Sequence, residues 1–186
     1  MQMPGKRWFS GRQRLELRFA ECVVMAKKAE RPVVVGVISD THGLLRPEAV
    51  EALRGSEHII HSGDIGPAEI LEKLSTIAPV TAVRGNVDRS EWARKLRQTE
   101  VLEVGGLLIY VIHDLAQLDL QPKAAGVAAV VSGHSHVPIQ ETRDGVLYFN
   151  PGSAGPRRFK LPVSAGRLIV ADGRVRGELL RLRLPF

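Results

Sequence analysis

Short runs rich in Val and Ile, each giving way within a few residues to an Asp, Asn or His, constrain this chain more than any other feature. Val33–Ser39 is the first, and such a run fits a strand covered on both faces. Pro47–Leu53 then predicts a helix, with Pro in its first turn and Gly55 just past its end. His58–Ser62 predicts a second strand. Pro67–Thr76 predicts a second helix with Ala68, Ile70, Leu71 and Leu74 on its apolar side, and Val80–Arg84 a third strand. Alternating strands and helices open an α/β layered fold.

After a polar stretch at 91–99 the pattern changes. Val101–Val104 and Leu107–Ile112 flank Gly105-Gly106, a two-residue hairpin signal. Leu118–Ala124 predicts a short helix and Ala128–Ser132 another strand. Val146–Asn150, Ser164–Ala171 and, past Asp172-Gly173, Arg174–Leu184 predict a hairpin-rich end. No internal repeat or low-complexity linker interrupts the chain, and a two-sheet α/β sandwich is the expected architecture.

A length of 186 residues predicts one compact domain, and 44% apolar with 25% charged residues is ordinary for a globular protein. No apolar run nears the roughly 20 residues that span a bilayer, so no membrane partner is expected. Cys22 is the sole cysteine and can form no intrachain disulfide, which fits the cytoplasm. The net charge of +6 is unevenly spread. Residues 1–30 hold seven basic and three acidic residues, whereas the remainder holds 19 and 17. Residues 1–30 are therefore expected to form a poorly ordered basic extension, and 31–186 the domain. Leu15, Leu17, Phe19 and Val23 in the extension make a weak amphipathic pattern, no signal-peptide pattern is present, and Met25 offers an alternative start. A near-neutral body gives nucleic-acid binding only weak support.

Seven metal-seeking side chains punctuate this frame: Asp40, His42, Asp64, Asn86, His113, His134 and His136. Asp40, Asp64, Asn86, His113 and His134 each follow the last apolar residue of a predicted strand, so five loops converge on one edge of the sheets. Carboxylates, imidazoles and one amide suit a pair of hard or borderline divalent cations. Two cations about 3.5–4 Å apart clamp a phosphate and activate a water. A carboxylate bridges best, and Asp64 is the central choice. Asp40 and His42, on alternate positions, reach one ion together. Asn86 offers a neutral carbonyl oxygen, and Ser135 lets His134 and His136 diverge. Gly43, Gly63, Gly85 and Gly133 each adjoin one of these residues.

The series Asp-x-His, Gly-Asp, Gly-Asn-x-Asp, His and Gly-His-x-His resembles the calcineurin-like metallophosphoesterases. More narrowly, with Asn150-Pro151-Gly152-Ser153, it resembles their small bacterial and archaeal phosphodiesterases, over residues 33–184. The resemblance implies a β-sandwich flanked by helices in four layers, α-β-β-α. It implies one ion on Asp40, His42 and His136, a second on Asn86, His113 and His134, and Asp64 between them. The implied function is hydrolysis of a small phosphoester, diesters before monoesters, by metal-activated hydroxide. Manganese is the preferred ion, with nickel, iron, zinc or magnesium as substitutes. Asp64 and Asn86 are expected to act in catalysis, and Asn86 and His134 to contact substrate. Many relatives carry His where Val87 stands, placed to protonate the leaving group; here that acid is unidentified. Asp114, often Gly in relatives, is expected to accept a hydrogen bond from a candidate ligand imidazole.

Singly, these residues have ordinary roles: Asp40 as a helix cap, Asp88 as a cap before Glu91, His113 as a core histidine. His61 is expected to support the site or be structural, His58 to be a surface residue, and Arg157-Arg158-x-Lys160 to be a solvated loop, with contact to a substrate phosphate as the alternative. Ser135 lacks the context of a serine nucleophile. Two other functions compete: a nuclease on RNA or DNA, and a non-catalytic scaffold like the retromer subunit that resembles this fold. All seven candidate ligands are retained, which favours the enzyme.

Overall fold

The computed structural model describes residues 31–184; the expectations for residues 1–30 lie outside the described residues. Two five-stranded sheets face one another. The first contains β1 (Val33–Ile38), β2 (His58–His61), β3 (Val80–Ala82), β9 (Ser164–Ala171) and β10 (Arg174–Arg181), in the order β10-β9-β1-β2-β3. The second contains β4 (Thr99–Val104), β5 (Leu107–Ile112), β6 (Val127–Val131), β7 (Ile139–Arg143) and β8 (Val146–Asn150), in the order β4-β5-β6-β8-β7. Strands β1, β2 and β3 run parallel, as do β5, β6 and β8. Each sheet thus sends the carboxyl ends of three parallel strands to one edge.

Period-two alternation builds the layers. Val35 and Val37 of β1 face Ile109 and Val111 of β5, Phe149 of β8 and Leu168 of β9 in the inter-sheet core. Ile38 and Ile59 point the other way, against Ala49 and Leu53 of α1 (Pro47–Leu53) and Ile70 and Leu74 of α2 (Glu69–Ser75). Seven-residue helices are too short to persist alone. Pro47 begins α1, and burial of Ala49 and Leu53 holds it on the sheet. On the far side Tyr110, Ile112 and Val130 pack under Leu115, Leu118 and Leu120. The fourth layer is therefore a 3-10 turn at Leu115–Gln117 and further turns, so Leu118–Ala124 is not the expected helix. Apolar spacing there reflects a covering segment whose Pro122 and Gly126 break any helix.

Boundaries otherwise moved little. The second helix starts at Glu69 rather than Pro67, β3 ends at Ala82 rather than Arg84, and the final strand ends at Arg181. Strand β7 was not expected from the sequence, and all five of its residues are exposed. Among the described residues no helix is long and apolar enough to cross a membrane.

Candidate metal centre

The converging edge holds the candidate residues where the strand ends predict. Asp40 and His42 follow β1, Asp64 follows β2, His113 follows β5, and His134 and His136 follow β6. The β1 and β2 loops are zipped together: Asp40 N–H donates to Gly63 O at 3.0 Å, and His42 N–H to Asp64 O at 2.9 Å. Five candidates adopt left-handed backbone: Asp40 (φ 52), His42 (45), Asp64 (54), His134 (65) and His136 (58). Asp and His enter this region more readily than most residues, yet five together need a framework that overrides local preference. Close packing adds to the constraint. A Cβ at Gly85 would overlap the Asp64 carboxylate, and one at Gly133 would overlap Ser39 Oγ.

Side chains within one site supply two compact ligand sets, Asp40–His42–His136 and Asp40–Asp64–His113. His136 Nε2 lies 3.2 Å from Asp40 Oδ1 and 3.2 Å from His42 Nε2. Asp64 Oδ2 lies 3.4 Å from His113 Nε2 and 3.8 Å from His42 Nε2, so this carboxylate reaches imidazoles of both sets. His113 Nδ1 donates to Ser62 O at 2.7 Å, which leaves Nε2 as a lone pair in the neutral ring. Two acceptors then face one another at Asp64 and demand a cation between them. Burial disfavours the charged imidazole, but the Asp64 carboxylate and the Ser62 carbonyl outweigh it and raise the His113 pKa. Burial likewise opposes ionisation of Asp64, yet the adjacent His113 ring and the bond from Val87 N–H (3.0 Å) bring its pKa down to about 2. Asp40 Oδ1 and His113 Nε2 are buried without a hydrogen-bond partner. Buried unsatisfied atoms on a carboxylate and an imidazole fit a divalent cation, which needs such donors.

The other two candidates stand at the rim. His134 is exposed, its ring edge-on to His113 with centroids 5.2 Å apart, while its N–H donates to Asp40 Oδ2 at 3.1 Å. Asn86 is exposed and lines a cavity of about 320 Å³ beside His113 and Asp114.

Several supporting residues escaped the sequence reading. Asp88 does not cap toward Glu91. Its buried carboxylate accepts from Ile65 N–H (2.9 Å), Gly66 N–H (3.1 Å) and Gly85 N–H (2.9 Å), tying the Asp64 loop to the Asn86 loop. Asn150 Nδ2 donates to Gly133 O at 2.6 Å and Ser135 Oγ at 3.1 Å, and Ser153 Oγ donates to Asp40 O at 2.9 Å. The Asn-Pro-Gly-Ser segment thus grips the loops of Asp40 and His134. Asp114 bonds no imidazole: it accepts from Ala116 N–H at 3.0 Å and Gln117 Nε2 at 3.1 Å and caps its own turn. Arg158 is not simply solvated, since its guanidinium lies 3.3 Å from His42 Nε2. Burial first, and this cation among other causes, lower the His42 pKa against the pull of Asp64 and Asp40. His58 is half-buried and bonded to Thr81 Oγ1 at 2.8 Å rather than free at the surface. His61 is fully buried and structural, as expected.

Known proteins resemble this chain in sequence and fold. The family model of the calcineurin-like phosphoesterase superfamily domain matches residues 33–173. A probable metallophosphoesterase of Methanocaldococcus jannaschii is 41% identical over 154 residues, covering 75% of this chain and 77% of the relative. Phosphodiesterase YfcE of Escherichia coli K12 is 30% identical, covering 70% and 84%. Among solved structures, an archaeal phosphodiesterase superposes with a TM-score of 0.66 at 24% identity, covering 80% of this chain and all of that one. Vacuolar protein sorting 29 of Cryptosporidium parvum superposes at 0.64 with 19% identity, covering 79% and 96%; these two likenesses concern the fold alone. By its sequence and its two-sheet architecture, the chain belongs to the calcineurin-like phosphoesterase superfamily.

Proposed function

We propose that this metallophosphoesterase holds two divalent cations and hydrolyses phosphodiesters. The observation that carries the reading is the Asp64 carboxylate set between His42 and His113, with buried acceptors facing it on both sides. Asp40, His42 and His136 would hold one ion, His113, His134 and Asn86 the other, with Asp64 bridging. Such a pair supplies water activation and charge neutralisation at phosphorus. Manganese is the favoured ion, because a mixed carboxylate, imidazole and amide set suits it. The protein's part is placement. Ser62 fixes the His113 tautomer, Val87 N–H fixes one Asp64 oxygen, and Ser39 Oγ fixes Asp40 Oδ2 at 2.6 Å. Arg158 stands where it can meet a phosphate oxygen. Val87 is half-exposed and can donate no side-chain proton, so esters with good leaving groups react best. A cytoplasmic location belongs to the same reading, resting on the lone Cys22.

The test is turnover of bis(p-nitrophenyl) phosphate by the Mn²⁺-loaded protein, with p-nitrophenyl phosphate as the slower monoester. Asp64→Asn should abolish it, since an amide cannot bridge as a carboxylate does. Metal-dependent turnover retained in that variant overturns the assignment. The scaffold reading, favoured by the fold shared with vacuolar protein sorting 29, predicts metal binding without turnover.

A further inference from the structure

Beside the candidate centre, and not explained by it, lies a second cavity of about 350 Å³. Arg84, Arg89 and Arg94 line it, and Arg84, Gly85, Asn86 and Gln98 form the wall it shares with the cavity reaching His113. Gly85 is packed directly on the Asp64 carboxylate, so the basin opens at the edge of the centre. Some surface arginines are paired, Arg31 with Glu57, Arg54 with Glu51 and Arg97 with Glu100. None of the three basin arginines has an ion pair among the described residues. The carboxylate in their wall, Asp88, is already spent on three backbone N–H groups. Arg89 is held over the loop by a 3.2 Å bond from Nε to Asn86 O, which leaves its terminal nitrogens free. The neighbouring cavity carries Asp114 and Asp119 against Arg84 alone, so an anion is drawn toward the side that adds Arg89 and Arg94.

The geometry points to the Arg84–Arg89–Arg94 basin as a subsite for a second phosphate, carried on the alcohol arm of the ester being cleaved. This assignment of substrate class rests on the phosphodiesterase reading. The scissile phosphate is matched by the metal centre and by Arg158, which lies against His42. Three further guanidiniums on the Asn86 side exceed what that phosphate needs. Guanidinium forks match phosphate oxygens in charge and geometry. Tyr110 and His113 are the aromatic rings on the two cavity walls and both are buried, so no stacking platform for bases is offered. Recognition there is of charge.

The experiment compares thymidine 5′-(p-nitrophenyl phosphate) with and without a 3′-phosphate, using the full Mn²⁺-loaded chain. The 3′-phosphorylated ester should show kcat/KM about tenfold higher, through KM, and Arg89→Gln/Arg94→Gln should bring the ratio near one. Turnover of both esters with no preference overturns the subsite and leaves the phosphodiesterase reading standing. If neither ester turns over, that reading fails, and calorimetry on the chelator-treated protein decides the subsite alone. Thymidine 3′,5′-bisphosphate should then bind the wild type about tenfold tighter than thymidine 5′-phosphate, and the double variant equally. Equal binding by the wild type overturns the proposal. An oligothymidylate that competes better than the bisphosphate, with steep salt dependence, assigns the second phosphate to a polynucleotide; weaker competition assigns it to a small ester.

Discussion

His61 should make the stability of this protein fall with acid in a way one substitution removes. Its ring is fully buried, with Nε2 2.9 Å from Thr41 Oγ1 and Nδ1 3.3 Å from Gly63 N. Thr41 Oγ1 donates its single proton to Ile65 O at 2.8 Å, so His61 Nε2 must donate to Thr41. Gly63 N–H donates to Nδ1, and both ring nitrogens are satisfied only in the neutral form. A second ring proton would meet an N–H group head-on. Burial accordingly pushes the His61 pKa from 6.5 to about 4, against the attraction of Asp88 and Asp40.

The folded pKa lies below the unfolded one, so between the two values the unfolded chain binds a proton that the folded chain refuses. The contribution to stability is full above pH 6.5 and declines as pH falls through that value toward 4. Linkage sets the loss at about 1 kcal/mol near pH 5.5 and about 2–3 kcal/mol near pH 4.5. His61→Gln keeps a donor for Thr41 and loses the weak acceptor for Gly63. It should cost about 1 kcal/mol at neutral pH. Urea unfolding of chelator-treated wild type and variant, at pH steps from about 8 to about 4.5, isolates the residue because every other titrating group is common to both. The two stability curves should approach and cross as pH falls. Parallel curves would refute a neutral, buried His61, as would a ring-proton NMR titration with a midpoint near 6.5.

Asp88→Asn should lower stability by about 2 kcal/mol, since its amide presents N–H₂ to a backbone N–H. It should also weaken Mn²⁺ binding about 10–100-fold, read by calorimetry, because the Asp64 and Asn86 loops lose their common tie. Arg158→Gln should reduce kcat/KM for bis(p-nitrophenyl) phosphate about tenfold with Mn²⁺ occupancy unchanged; an unaltered rate removes Arg158 from substrate contact. Val87→His places an imidazole on an exposed rim position and should raise rates on alkyl phosphodiesters about a hundredfold, while p-nitrophenyl esters gain little.

The candidate ligands are legible in the sequence but what holds them is not, and the reason is range. Strands β1, β5 and β8 bury apolar residues on both faces, so their apolar runs announce them without further context. Strand β7 buries none: its residues Ile139–Arg143 become a strand only through pairing with β8. The signal available was Asp144-Gly145 between them, a hairpin dipeptide whose Asp144 has φ 50. Asp40, Asp64 and His113 could be found because each candidate stands at a strand end, and Asp64 also adjoins a glycine. Asp88 could not, since its partners Ile65 and Gly66 lie more than twenty residues upstream and offer only backbone N–H groups, which any residue has. Arg158 meets His42 across 116 positions and Asn150 meets Gly133 across 17.

Those distant contacts decide whether the locally marked candidates form one site. Left-handed backbone at Asp40, His42, Asp64, His134 and His136 costs about 1–3 kcal/mol per residue in a free chain. No loop holds that geometry unaided. Asp88 fixes the Asp64 and Asn86 loops from one side, and Asn150 with Ser153 fixes the Asp40 and His134 loops from the other. His113 joins the two sheets through Ser62. Strain is therefore opposed by charge-assisted and buried hydrogen bonds that do not depend on any ion. It follows that Asp88→Asn should loosen the loops in the chelator-treated protein as well, read as faster hydrogen exchange at Ile65, Gly66 and Gly85.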